Sequence, residues 1–305
     1  MAHPTHDVIV IGEGVSGLTA AGELARAGLK AATFESQLFG GLVLNVNELD
    51  PAPEGAPTSG AELASGMMEK NAEAGVASIQ EPVTLIRRVG EAFEVVTEAG
   101  THSARAIVVA SGGRLKRLGV PGEMDFEGRG VSQCADCDGP MYQNEVALVV
   151  GGGDSALQEA IVLSQYCSKV ILVHRGDRFS GAAHFADHVQ ANEKIEIVWN
   201  ATVVGIVGAQ TVEKAQLKHA DGRSEELPCA GVFAYIGLQP SVDFLPPEVE
   251  LDANGAIRTR DNFETTAPGI YAIGAVRSGY EGTLTAAMAE ARRASQAIAA
   301  RLNPR

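Results

Sequence analysis

Cysteine is scarce in this 305-residue chain, which has four, and so sparse a set cannot form the dense disulfide framework of a small secreted domain. Basic runs are missing too. With 24 Lys and Arg against 38 Asp and Glu, for a formal net charge of -14, no cluster of cations is available to displace counterions from a phosphate backbone, which excludes nucleic acid as a partner. No apolar run reaches the roughly 20 residues of a membrane-spanning helix, so no membrane association is expected. Residues 1–7 are short and polar and lead directly into the apolar residues 8–11, without the basic region, apolar core and cleavage site of a secretory leader. There is no low-complexity linker. These absences predict a cytoplasmic protein, and its 45% hydrophobic and 20% charged residues are an ordinary globular composition, long enough for two domains.

What the chain does have is an internal repeat. The stretch Val8-Ile9-Val10-Ile11-Gly12-Glu13-Gly14-Val15-Ser16-Gly17 recurs in form as Ala147-Leu148-Val149-Val150-Gly151-Gly152-Gly153-Asp154-Ser155-Ala156. Each copy reads as a buried parallel strand, a glycine-rich turn, a helix (18–27 and 157–165) and a second strand (31–34 and 170–173). Further strands are predicted at 93–97, 106–110, 195–199, 231–236 and 269–273, with a closing helix over about 283–302. Strands alternating with helices in this way predict an α/β fold with two Rossmann-like dinucleotide-binding domains.

A strand running into Gly-x-Gly-x-x-Gly turns tightly and lets a pyrophosphate approach the backbone at a helix N-terminus. Gly12, Gly14 and Gly17 fit this pattern, and Glu35, at the end of the second strand, is placed for the ribose hydroxyls. In the second copy Gly151, Gly153 and Ala156 occupy the small positions, and His174 and Arg175 stand where the acid would be. An acid there would repel a 2'-phosphate, whereas His174, Arg175 and nearby Arg178 would attract one, so this copy leans toward NADP over NAD.

Just before the second copy lies Cys134-Ala135-Asp136-Cys137-Asp138-Gly139. The spacing suits a disulfide across a turn, and Asp138 could hold or supply the proton that thiol–disulfide exchange requires. The bland alternative is two reduced cysteines in a turn. A structural zinc site would need further ligands, but Cys167 and Cys229 stand alone and are expected to be small buried apolar residues. His184 and His188 are four apart on a predicted helix, yet no third ligand accompanies them, so a surface or packing role is expected and no metal site.

In its order of motifs, ending in Gly269-Ile270-Tyr271-Ala272-Ile273-Gly274, the chain resembles the low-molecular-weight thioredoxin reductase family over nearly its whole length. The most specific stretches are 128–139, 151–156 and His174-Arg175. The resemblance implies that the first unit, residues 1–113 and 243–305, binds FAD and is interrupted by an inserted NAD(P)H-binding domain, 114–242, carrying the dithiol. By position, Gly12, Gly14, Gly17 and Glu35 would hold the FAD, with Gly40 and Gly41 near the flavin side, while Gly151, Gly153, Asp154, Ser155, Ala156, His174, Arg175 and Arg178 would hold the nucleotide. Cys137 would be the flavin-facing thiol, Cys134 its disulfide partner and Asp138 the acid/base. A homodimer and a thioredoxin-like partner, or a small-molecule disulfide, are implied as well.

Three positions depart from the family. Its His-Arg-Arg-x-x-x-Arg is here His174-Arg175-Gly176-Asp177-Arg178-Phe179-Ser180. At about 1.5–3 kcal/mol for each charge-assisted contact, two missing arginines would weaken NADPH binding by on the order of a hundredfold or more, partly recovered if Arg178 reaches the phosphate. The family's flavin-contacting Gly-Asp is Gly274-Ala275, and Pro140-Met141 replaces an aromatic pair often used to dock thioredoxin. The expected activity is a FAD-dependent disulfide reductase with NADPH, NADH or another donor. The departures leave as rivals a dithiol oxidase passing electrons to oxygen, a ferredoxin-linked reductase, and a redox sensor without turnover.

Overall fold

The computed structural model describes residues 5–46, 49 and 59–303. Residues 1–4, on which part of the amino-terminal reading rests, and the ends of the expected first domain, 1–4 and 304–305, lie outside the described residues. The chain forms two compact units, one from Met1–Arg114 with Gln239–Arg305 and one from Leu115–Leu238, against an expected second domain of 114–242.

In the first unit, strand order runs Ala77–Ile79, Ala31–Phe34, His6–Ile11, Thr101–Val109, Ala92–Thr97, Val83–Val89. The strand Thr101–Val109 explains how the carboxy-terminal segment joins. Its first half pairs antiparallel with Ala92–Thr97, and its second half pairs in parallel with His6–Ile11 and with the late strand Ile270–Ala272, Ile107 opposite Ile270. Four consecutive buried residues, Val8 to Ile11, mark His6–Ile11 as a strand covered on both faces. One face packs Leu24, Ala20 and Ala21 of the helix Val15–Arg26 against Ala291, Ala294 and Ile298 of the helix Leu284–Leu302. Alanines at this seam let the helices approach closely, and Ser295 Oγ donates to the Ala20 carbonyl at 3.3 Å. The other face buries Phe34, Phe93, Ile107 and Ile257.

The second unit repeats the plan with an all-parallel sheet ordered Ile195–Trp199, Lys169–His174, Val146–Gly151, Gly231–Tyr235, Val131–Ser132. The helix Asp154–Tyr166 covers one face through Ala156, Leu157, Ala160 and Leu163. A separate antiparallel sheet, Ala201–Gly208, Val212–His219 and Ser224–Pro228, contributes Val203, Ala215 and Leu217 to the core on the other face.

That antiparallel sheet is not among the strands expected from sequence. Its register slips between Val203 and Gly205 and again between Val207 and Gly208, which breaks the alternation of apolar and polar residues by which a strand is recognised. The helix Gly60–Glu73 was not expected either, although Ser59 and Glu62 form a reciprocal capping box at its start. It buries only Gly60, Leu63, Ala64 and Asn71, too narrow a stripe for a periodic signal. Among the described residues no helix is long and apolar enough to cross a membrane.

Leu148 is fully buried in the centre of the second sheet. Leu148→Ala is expected to cost about 2–5 kcal/mol, seen as a lowered urea midpoint at unchanged slope, while Val204→Ala, at a 45% exposed position, changes stability by about 0.5 kcal/mol or less.

Candidate active site

The first glycine turn joins the strand His6–Ile11 to the helix Val15–Arg26. Gly12 has φ +103°, and a Cβ there would lie 2.4 Å from the Ala110 carbonyl oxygen; a Cβ on Gly17 would lie 1.9 Å from the Gly12 carbonyl oxygen. Both positions therefore demand glycine. Gly14 caps the helix without a side-chain hydrogen bond, and no acid stands in the first turn, leaving free N–H groups and the positive dipole end for an anion. Glu35 reaches back to this turn: its Oε2 accepts from the Glu13 N–H at 2.9 Å, while its Oε1 accepts from the N–H groups of Ser36 and Gln37. The Gly40 N–H donates to the Glu13 carbonyl at 2.7 Å, and Gly41 lies against Gly14. From the carboxy-terminal segment, Gly274 abuts Ser16 so closely that a Cβ would lie 2.2 Å from its Oγ, with half-buried Ala275 following. Seven residues singled out from sequence thus form or abut one turn, and Ala275 follows the last of them in the chain.

The second turn, within the other unit, is built alike. A Cβ on Gly151 would lie 2.4 Å from the Tyr235 carbonyl oxygen, and Gly153 caps the helix Asp154–Tyr166. Asp154 Oδ1 accepts from the Ala182 N–H at 2.6 Å, so this acid fastens a neighbouring loop; Ser155 is exposed and Ala156 buried. The His174 ring lies on the turn, Nδ1 donating to the Gly151 carbonyl at 3.1 Å, edge-on to Trp199, whose ring centre is 4.4 Å from that of Phe179. Arg175 and Arg178 are exposed beside it.

Cys134 and Cys137 form a disulfide with Cα atoms 5.3 Å apart, closing the short helix Ala135–Asp138. Cys137 is exposed and Cys134 half-buried. Ser132 organises the loop, accepting from the Cys134 N–H at 3.2 Å and donating its hydroxyl to Asp138 Oδ2 at 2.5 Å. Beneath, the Ala135 N–H donates to Glu159 Oε2 and to the Tyr235 hydroxyl, each at 3.1 Å. Burial first, then the charge of Asp136, pushes the Glu159 carboxyl up to about 7, and burial with the nearby Glu159 raises the Tyr235 hydroxyl. The remaining thiols are buried and inert: burial pushes Cys167 up to about 11 and Cys229 up to about 12. His184 and His188 lie on the helix Ala183–Ala191, where His184 packs on the ring of Phe185.

The profile of the pyridine nucleotide-disulphide oxidoreductase family matches residues 6–291. The chain belongs to that family. It is 37% identical over 275 residues to a thioredoxin reductase of Treponema pallidum, covering 90% of this chain and 89% of the relative. It is 38% identical over 280 residues to one from Listeria monocytogenes, covering 90% and 86%. The solved thioredoxin reductase of Lactococcus lactis superposes with a TM-score of 0.92 at 33% identity, covering 96% of this chain and 98% of that one. The chain is a flavin-dependent oxidoreductase of thioredoxin reductase type.

Within this oxidoreductase four functional-looking side chains escaped the sequence reading. Glu13, inside the first turn, is fully buried, accepting from the hydroxyl of Thr33 at 2.5 Å and from Gln80 Nε2 at 3.3 Å. Glu290 accepts from the Gly274 N–H at 2.9 Å and pairs with Arg277. Glu159 and Tyr235 hold the dithiol helix. Of these only Glu13 carried a signal, its place within the glycine motif; the others come from positions far from the groups they serve.

Glu159 gives a pH dependence of stability. Its folded pKa of about 7 lies above the ordinary carboxyl value of about 4.3, so between them the folded chain retains a proton that the unfolded chain has lost. Stability therefore falls as pH rises through that window, by about 4 kcal/mol at most. Glu159→Gln removes the fall: its urea midpoint is expected to match the wild type near about pH 4.5 and to exceed it at about pH 8. Parallel midpoints at both pH values would contradict the assignment.

Proposed function

We propose that this oxidoreductase takes electrons from a reduced pyridine nucleotide and delivers them, through the Cys134–Cys137 dithiol, to the disulfide of a thioredoxin-like protein. The observation that carries the reading is the disulfide itself, with its adjacent acid held by Ser132. The first unit is proposed as the FAD-binding domain, its two segments corresponding to 1–113 and 243–305, and residues 114–242 as the nucleotide domain.

The first turn fits a flavin dinucleotide. Hydrogen-only positions at Gly12 and Gly17, an uncapped helix N-terminus and the inward-reaching Glu35 make a cradle for a pyrophosphate and its ribose. Gly12, Gly14 and Gly17 would hold the pyrophosphate, Glu35 the ribose, and Gly40, Gly41, Gly274 and Ala275 the remaining wall. When bound, FAD supplies a two-electron store between nucleotide and dithiol. Cys137 is proposed as the flavin-facing thiol and Cys134 as its partner. In the reduced protein a thiolate attacks the substrate disulfide and forms a mixed disulfide, and the second thiolate then closes the Cys134–Cys137 bond and releases the reduced substrate. Asp138 returns a proton to the departing thiolate.

In the second unit Gly151, Gly153, Ser155 and Ala156 would line the nucleotide pyrophosphate, with Asp154 bracing the loop at Ala182. Exposed Arg175 and Arg178 beside His174 support NADPH over NADH. The sparse cysteines support a cytoplasmic location, and the family resemblance supports a homodimer.

Anaerobic addition of NADPH is expected to bleach the flavin band, and thioredoxin-dependent turnover is expected to fall to background in Cys137→Ser. Bleaching by neither NADPH nor NADH would overturn the nucleotide-driven reading. Asp138→Asn should slow turnover by about 10²–10⁴-fold. Arg178→Ala should raise KM for NADPH by roughly tenfold and leave that for NADH unchanged; equal effects on both would remove Arg178 from phosphate recognition.

A further inference from the structure

We propose that Glu159 is a positioning residue for the dithiol: together with Tyr235 it clamps the Ala135 N–H, and its charge sets how readily Cys134 and Cys137 form thiolates. The inference rests on the redox role given to the dithiol above and adds a second proton-holding group, distinct from Asp138.

The geometry lies within one unit. Glu159 projects from the helix that starts at the second glycine turn, and Tyr235 ends the strand Gly231–Tyr235, opposite Gly151. Both oxygens stand 3.1 Å from the Ala135 nitrogen. That N–H belongs to the peptide directly following Cys134, in the helix that the disulfide closes. The groups facing Glu159 are the Asp136 carboxylate from the short helix, the Tyr235 hydroxyl from the strand and the Ala135 N–H. All but Asp136 favour its ionised form, yet burial and Asp136 prevail and its pKa stands at about 7. A buried carboxyl that titrates near neutrality lowers stability whenever it ionises, and nothing in the packing requires one there: an amide would accept the same hydrogen bond.

Its chemical use follows from the reduction. Two electrons, from the reduced pyridine nucleotide in turnover or from dithiothreitol in vitro, enter the Cys134–Cys137 bond, which breaks; one sulfur takes a proton from solvent, and the other remains a thiolate. The second proton of the two-electron, two-proton couple is taken from solvent by the Glu159 carboxylate. The neutral carboxyl then adds no repulsion to the thiolate, whereas an ionised one would disfavour it.

The test uses the full-length holoenzyme reduced with dithiothreitol, and follows iodoacetamide alkylation of the peptide carrying Cys134 and Cys137 by mass spectrometry across a range of pH. Glu159→Gln is expected to move the thiolate titration down by roughly 0.5–1 pH unit, speeding alkylation about three- to tenfold near neutrality. Tyr235→Phe, which keeps the carboxyl but removes a donor to it, is expected to move the carboxyl-linked inflection upward. A raised carboxyl pKa keeps Glu159 neutral over a wider range, so Tyr235→Phe also eases thiolate formation near neutrality, and downward thiolate shifts in both variants support a charge effect. A Glu159→Gln profile superimposable on the wild type overturns the proposal, as does an upward thiolate shift in Tyr235→Phe. Should Glu159→Gln fail to fold, infrared difference spectra between oxidised and reduced states decide. A carboxylic acid C=O band gained on reduction by the wild type and lost in Asp138→Asn would identify Asp138 and overturn the proposal, whereas a band retained in Asp138→Asn supports it. No step of the assay needs NADPH or thioredoxin. Loss of turnover with the shift intact would therefore sink the proposed function alone, and intact turnover without the shift would sink this inference alone.

Discussion

A constraint that both units share is the collision that glycine avoids where each main strand enters its helix. In the first unit the Gly17 α-carbon is so near the Gly12 carbonyl that a Cβ would stand 1.9 Å from the oxygen. Helix and strand can meet at that separation only if positions 12 and 17 carry no side chains, and the same separation aims the helix N-terminus at the space above the sheet. The second unit solves the problem differently. Its third small residue is Ala156, whose Cβ fills the space a side chain on Gly151 would need, 2.6 Å away, and Gly151 adopts φ +154° where Gly12 has +103°. One position accepts a methyl because the other has opened its backbone.

The second turn is also connected to the dithiol. Tyr235 uses its carbonyl oxygen to wall Gly151 and its hydroxyl to hold the Ala135 N–H. Glu159 begins from the opposite side, on the helix launched by that turn, and reaches the same N–H. Nucleotide turn and redox helix are therefore fixed by the same two elements, a strand end and the second turn of a helix. A displacement of either element would disturb both, which gives the placement of a dithiol immediately before a dinucleotide unit a mechanical reason.

Much of this was legible in the chain because the chemistry is local. Gly12, Gly14 and Gly17 are read from spacing, since a tight turn and a helix start are made by neighbours; Cys134, Cys137 and Asp138 are read likewise. Glu35 is legible because strand length fixes where it falls. Glu159, Tyr235, Glu290 and Arg277 are not, because their partners lie 13 to 100 residues away and only the fold brings them near. His174 shows the intermediate case: its position beside the second turn follows from the repeat, but the fold turns its Nδ1 onto the Gly151 carbonyl and packs its ring beside Trp199. Its conformation serves the turn, and the cations left exposed are Arg175 and Arg178.

Glu290 and Arg277 close the first site in a way that bears on the missing acid at Ala275. Burying an ion pair gains little net stability against well-packed apolar residues, so its presence is poorly explained by stability alone. Its contacts instead fix the local backbone. Glu290 Oε2 receives the Gly274 N–H, and Arg277 donates its Nε to the same oxygen and its Nη1 to the Ser278 carbonyl. Gly274 is thereby held at φ +72°, pressed against Ser16 at the start of the first helix. Ala275 offers no carboxylate after this glycine, but the backbone there is fixed from behind by the Glu290 carboxylate. The backbone beside the first glycine turn is therefore held in place whatever side chain stands at 275, so Ala275 leaves the shape of the turn's wall unchanged.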